Sequence, residues 1–405
     1  MTFWGFLRQN ARWLGAGMLL AFLSSFGQTV FISVFAGKIR AEYGLSDGNW
    51  GLIYTAATMS SAATMVWAGG LIDRFRVRAF GTAVLLTLAL VCIAMAFNRA
   101  VWALPVVIFG LRFFGQGMAP HAAVVAMARW FVANRGRALA IAALGFALGE
   151  ATLPLLSVAL MRVADWRMIW LGAAVAVLLG VPLLRLLLQQ ERTPQSLSAE
   201  TPSPGMGGRH WTRGEVVRQG MFWAVIPAVS AHPIFVSAFY FQQVHLAGVR
   251  GWDHLALVAL FPLFPATSVA SSFLFGWALD RVGATRLMGV YPLTLALAFV
   301  VLAVSDSLTG AALAIALMGV TSGGQATLPN AYWAEVYGTR HIGSIKSVVL
   351  AFVVLGSALG PGITGVLIDQ GIAFPAQTGW IAAVIAASCV LCLVAVESGY
   401  RLRRK

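Results

Sequence analysis

The feature that most constrains this chain is a turn that occurs twice. Gly69, Gly70, Leu71, Ile72, Asp73, Arg74, Phe75, Arg76, Val77 and Arg78 follow one another at the end of a run of apolar and small residues that begins at Asn49. Gly276, Trp277, Ala278, Leu279, Asp280 and Arg281, with Gly283 and Arg286 just beyond, end a second such run, and the two copies are displaced by 207 positions. A run of about twenty apolar residues is long enough to cross a bilayer as a helix. An aspartate and three arginines arriving within six positions belong at a membrane surface, where charge stays hydrated. The constant offset marks a duplicated unit. Gly136, Gly149 and Pro154 fall on Gly343, Gly356 and Pro361 at the same displacement.

Composition agrees. Of 405 residues 59% are hydrophobic and 10% charged, with mean hydropathy +0.82, whereas a soluble domain carries about a quarter charged residues. The net charge of +14 does not require nucleic acid as a partner. Arranged by alternating loops, 21 of the 28 Lys and Arg fall on one side, with Lys38, Arg40, Arg99, Arg162, Arg167 and Arg250 on the other and Arg112 inside a span. That asymmetry is the positive-inside pattern of a membrane protein. Cys92, Cys389 and Cys392 lie in apolar runs, where neither a disulfide framework nor a metal site has water-facing partners. No cofactor is expected.

Reading the apolar runs in order predicts an all-α membrane protein with twelve transmembrane helices in two six-helix bundles. The first bundle covers 1–188, with spans at 13–36, 49–71, 79–97, 101–128, 137–161 and 166–188. The second covers 220–405, with spans at 220–246, 254–279, 286–304, 309–334, 344–368 and 376–398. Between them 189–219 is rich in Pro and Gly and reads as a cytoplasmic linker, mobile in its middle. Both termini are expected in the cytoplasm, and the N-terminal run is too long for a secretory signal. An even number of helices per unit inserts both copies in one orientation, the parallel repeat of a large class of transporters.

The chain resembles the major facilitator superfamily along essentially its whole length. Gly69, Asp73 and Arg74 are similar to the signature loop between the second and third helices, though Arg76 stands where the family usually has Gly, which the second copy keeps as Gly283. Arg112, Gln116 and Gly117 resemble an Arg-x-x-x-Gln-Gly segment of the fourth helix. Gly145, Gly149 and Pro154 match an exporter segment in part, with Glu150 in place of its Gly-Pro step; helix eleven carries the fuller Gly356, Gly360, Pro361, Gly362, Gly365. Arg129, Trp130, Phe131 and Arg135, Gly136, Arg137 look similar to the monocarboxylate and oxalate/formate branch. The resemblance implies the two-bundle fold and alternating access; an enzyme is not expected, because the sequence offers no nucleophile-base set or metal-ligand cluster at a plausible depth.

Arg112 is the sharpest single residue. It lies about 16 Å into its helix at 1.5 Å per residue, a depth at which an arginine must face a cavity or a partner. Gln116, one turn on, is expected on its face, the two forming a fork suited to a carboxylate; alternatively Arg112 ties helices together. Glu150 is the one acidic side chain near a span centre, and it either pairs with Arg112 or serves as the proton-coupling site. Further substrate-binding candidates are Gln28, Tyr54, His232, Tyr240, Ser271 and Gln325. The position equivalent to Arg112 in the second half is Gly319. His232 precedes Pro233, and that pair can mark a kink. Gating is assigned to Gly69, Asp73, Arg74, Arg78, Gly276, Asp280 and Arg281, where the Asp73 and Asp280 carboxylates could meet helix N-termini, and to the closely packing Gly356 and Gly360.

The expected function is secondary transport of a small organic anion, monocarboxylate-like, by alternating access with proton coupling, by a monomer in a bacterial inner membrane. An exporter of amphipathic compounds is the alternative within the class, and a non-transporting receptor or scaffold the alternative outside it.

Overall fold

The computed structural model describes residues 3–68, 71–131, 134–190 and 204–401. Among them there is no strand, and ten helices are long and apolar enough to cross a bilayer. The chain divides into two compact units, one of residues 1–46 and 52–199, the other of 47–51 and 200–405.

The first unit holds α1 (Phe3–Leu23), α2 (Asp47–Ala68), α3 (Val77–Phe97), α4 (Val101–Trp130), α5 (Arg135–Leu160) and α6 (Trp166–Leu187). The first turn of α2 groups with the second unit. In the second unit are α7 (Gly220–Phe241), α8 (Leu263–Val282), α9 (Leu293–Val304), α10 (Leu308–Tyr337), α11 (Ile342–Asp369) and α12 (Phe374–Arg401). Packing follows the duplication. Within the first unit α1 lies on α5 and α3 on α6; within the second α7 lies on α11 and α9 on α12. Large apolar side chains such as Leu90 on α3 and Phe273 on α8 are exposed, as lipid-facing positions require.

Several boundaries differ from the reading of the sequence. The helix of α1 begins at Phe3, well before Trp13. The run at 286–304 is not one helix: a short helix at Ala284–Leu287 and a turn precede Leu293–Val304, with Pro292 at the N-cap, a position that suits a residue lacking an N–H. α2 is long enough to span but more polar, carrying Thr55, Thr58, Ser60, Ser61 and Thr64. α7 is assigned as one helix through Pro227 and Pro233. Part of the expected linker is ordered. Thr212 and Glu215 form a reciprocal capping box that opens the helix Arg213–Val217, and Trp211 N–H donates to the Tyr337 carbonyl at 3.1 Å. The hydrogen bond from the Thr212 backbone, above all, lowers the pKa of exposed Glu215.

Glycine makes the main helix contacts. A Cβ on Gly145 would strike the Met18 carbonyl, and one on Gly149 the Ser25 side chain; in the second unit a Cβ on Gly356 would meet Ile234 Cγ1 at 2.6 Å, and one on Gly360 the Ile234 carbonyl. Small residues four apart allow backbones this close.

At the end opposite the Asp-Arg turns each unit has a similar clasp. Arg167 pairs with Glu42 and donates to the Ala96 carbonyl at the end of α3, while Trp166 Nε1 donates to Glu42 at 3.0 Å. Arg250 pairs with Asp306 and donates to the Leu302 carbonyl at the end of α9 at 2.9 Å, and Trp252 Nε1 donates to the Asp306 carbonyl at 2.9 Å. At the motif end, Arg129 donates to the Ile72 carbonyl at 3.4 Å in the first unit. In the second, Glu335 of α10 instead accepts from the Ala284 N–H at 3.2 Å and from the Thr285 hydroxyl.

The glycine contacts predict that Gly360→Val forces α11 off the Ile234 backbone. Overpacking of this kind costs about 1–3 kcal/mol, so the thermal midpoint of the detergent-purified protein should fall by several degrees. Gly276→Val, at a position where an added Cβ meets nothing within 4 Å, should leave it unchanged; equal midpoints for the two variants would contradict this packing.

Candidate functional site

The first unit contains two departures from regular helix, and they meet. α1 tightens into a 3-10 turn at Ser24–Gly27, Gln28 is extended (φ −81°, ψ 152°), and helix resumes at Thr29–Ser33. α4 widens into a π-helix at Leu111–Met118. They touch through glycines: a Cβ on Gly27 would lie 2.6 Å from Gly115 Cα, and one on Gly115 would lie 2.8 Å from Gly27 N. Single π-turns are commonly found at functional sites.

Arg112 stands in the π-turn and is 1% exposed. Its Nη1 donates to the Gly27 carbonyl at 3.3 Å and to Thr29 Oγ1 at 3.1 Å. The Tyr54 hydroxyl donates to the same Thr29 oxygen at 2.7 Å, and the guanidinium carbon lies 5.1 Å from the centre of the Tyr54 ring. Leaving the helix at Gln28 turns the Gly27 carbonyl toward Arg112 instead of into the helical ladder. Nε and Nη2 are buried and find no acceptor among the described residues. No carboxylate pairs with the group either: Glu150, one residue beyond the glycine that packs on Ser25, is partly buried and makes no ion pair with Arg112. Chemically this is a buried cation with two donor nitrogens that find no acceptor among the described residues, an arrangement suited to an anion.

Of the other predicted residues in this unit, Tyr54 is at the site, Gln28 forms the extended link itself, and Gln116 makes no hydrogen bond to Arg112. Gly27 and Thr29 were not foreseen. Gly69 lies outside the described residues, as do the side chains of Asp73 and Arg74; Arg78 is partly buried.

The second unit's candidates do different things. Gly319, at the place equivalent to Arg112, lets α8 approach until a Cβ there would collide with the Phe264 carbonyl. Ser271 fastens the same contact, donating to the Val320 carbonyl at 3.1 Å. Gln325 is occupied at both ends, accepting from the Tyr291 hydroxyl at 2.5 Å and donating to the Val229 carbonyl at 3.2 Å. His232 and Tyr240 stand together against Phe264, with ring centres 6.5 Å and 5.6 Å from it, and His232 Nε2 is buried without a partner. Asp280 is exposed and Arg281 lies over the Trp277 ring at 4.4 Å.

Fold and site together define a polytopic α-helical membrane protein of the carrier type. The family model of the Major Facilitator Superfamily matches residues 17–290 and 256–404, and the chain belongs to that family. It is 28% identical over 280 residues to a probable sulfoacetate transporter, SauU, of Cupriavidus necator, covering 65% of this chain and 64% of the relative, just under two thirds of that protein's length. Among solved structures it is similar in fold to a bacterial homologue of the human lysosomal transporter Spinster in an inward-facing, occupied conformation (TM-score 0.67, 17% identity, 96% of each chain). It is likewise similar to the nucleoside transporter NupG (TM-score 0.69, 12% identity, 96% of this chain and 100% of that one).

The bonds of Gln325 predict a structural role. Gln325→Leu would leave the Tyr291 hydroxyl and Val229 carbonyl unpaired, at a cost of about 1–3 kcal/mol each. The thermal midpoint should drop while the KM of transport stays within about twofold; an unchanged midpoint with a much higher KM would assign Gln325 to the cargo.

Proposed function

We propose that the protein carries a small organic anion across a bacterial inner membrane by alternating access, as a monomer with both termini in the cytoplasm, and that Arg112 anchors the anion. The observation that carries this reading is a 1%-exposed guanidinium that, among the described residues, has two nitrogens lacking acceptors and no carboxylate partner. A buried charge left so is tolerated where a partner arrives from outside. Monocarboxylates fit one cation, and the anion named for the Cupriavidus relative is a further candidate cargo. Exporters of amphipathic compounds would be favoured by a fully paired Arg112, which this chain does not have. The surplus of Arg and Lys on one set of loops supports the orientation.

Glu150 supports proton coupling in this reading. A partly buried carboxyl with no cation beside it can take up and release a proton as its surroundings change.

Purified protein in proteoliposomes should show saturable, pH-gradient-driven uptake of a labelled monocarboxylate or of sulfoacetate, and Arg112→Ala should reduce it by about a hundredfold or more. Binding of these anions without flux would make the chain a receptor or scaffold. Glu150→Gln should abolish uphill uptake and leave exchange intact; full retention of pH-driven uptake would remove its coupling role.

A further inference from the structure

The two halves of the Arg112 head group are treated differently by the protein. Nη1 is held: it donates to the Gly27 carbonyl and to Thr29 Oγ1. Nε and Nη2 are buried and find no acceptor among the described residues. In a guanidinium those two nitrogens lie along one edge and point their hydrogens the same way, forming the side-on fork that receives two oxygens of a single acid group. Thr29 Oγ1 is fixed in turn by the Tyr54 hydroxyl at 2.7 Å, and the Tyr54 ring lies beside the guanidinium. The plane of the group is therefore set before any ligand arrives.

We propose that the Nε–Nη2 edge of Arg112 is a docking fork for an anion presenting two oxygens of one head group, a carboxylate or sulfonate, and that Thr29 is the positioning residue that turns this edge toward it. The inference rests on the anion-carrier reading and narrows it: recognition is by the geometry of two parallel hydrogen bonds rather than by positive charge alone. Lysine would supply the charge but no planar fork. Thr29 touches Arg112 and Tyr54, and its effect on the anion passes through them. The Gly27 carbonyl provides the second hold on Nη1, available because α1 leaves helical geometry at Gln28.

The test compares head groups on detergent-purified protein by calorimetric titration. Propanoate and ethanesulfonate present two oxygens in one plane, while thiocyanate is an anion that offers one atom at a time. Wild type should bind the first two about tenfold or more tightly than thiocyanate. Arg112→Lys should bring this ratio near unity while thiocyanate binding persists. Thr29→Val, which removes the acceptor at nearly constant volume, should lower the ratio about tenfold, and Thr29→Ser should restore most of it. A loss through general destabilisation would weaken all three anions together, so the ratio isolates the geometric effect. Retention of the wild-type ratio by Arg112→Lys or by Thr29→Val overturns the fork and leaves Arg112 as a simple charge anchor. Equal binding of propanoate by wild type and Arg112→Ala overturns the fork and the anion-carrier reading alike, as does absence of binding of all three anions to wild type. Should Arg112→Lys fail to give a monodisperse size-exclusion peak, the Thr29 pair decides on the same ratio.

Discussion

A guanidinium inside an apolar span has no water to turn to, and the first unit is arranged around that fact. Arg112 carries several donors into a region where each unmet one is costly. The chain meets part of the demand with backbone. α1 abandons regular helix over Ser24–Gly27 and Gln28, and the carbonyl released at Gly27 accepts from Nη1. α4 widens by a π-turn at the same level, and Gly27 and Gly115 let the two irregular segments come within backbone contact. Remove the charge and neither irregularity has a purpose.

The duplication preserved packing and let chemistry diverge. The pairing of α1 with α5 and α3 with α6 recurs as α7 with α11 and α9 with α12. Where Arg112 stands in one unit, Gly319 stands in the other and is buried against the backbone of α8, so the space given to a charged side chain is given instead to a neighbouring helix. The clasps show the same drift. In one unit the arginine comes from the start of α6 and the acid from the segment before α2; in the other the arginine precedes α8 and the acid follows α9. At the motif end Arg129 holds a carbonyl, whereas Glu335 holds an N–H and a hydroxyl. What both solutions share is a polar group at a helix end meeting a side chain of opposite character.

Much of this was legible in the residues. Long apolar runs, a charge at a calculable depth and glycines spaced by four all report on local or one-dimensional physics: hydrophobic length, helical rise and backbone approach. The inward orientation of Arg112 follows from the cost of the alternative. The break at Gln28 did not declare itself, because glutamine has no conformational signature and the departure is stabilised by Arg112, 84 positions away. The π-turn is invisible for a similar reason. Thr29 was passed over since threonine in an apolar span ordinarily bonds its own helix. By contrast, Thr212 and Glu215 carried a readable helix-start pattern, masked by the Pro and Gly around them. Reading 286–304 as continuous underweighted Pro292.

Why an arginine should be left half-satisfied is the remaining question of physics. Pairing it with a carboxylate would be the cheaper resting arrangement, and Glu150 lies on a helix that packs against the same broken segment of α1. A fully paired guanidinium would have to give up that partner before accepting another anion, so the strength of the internal pair would be subtracted from the affinity for cargo. Holding Nη1 with a neutral carbonyl and a hydroxyl avoids the subtraction. These groups stabilise and orient the cation without cancelling its charge, and they leave Nε and Nη2 without an acceptor among the described residues. On the anion-carrier reading the unmet donors are the ordering cost of recognition, already met in the folded protein, so that more of the interaction with an arriving head group is expressed as binding. On the proton-coupling reading proposed above, the same logic keeps the Glu150 carboxyl untied to Arg112.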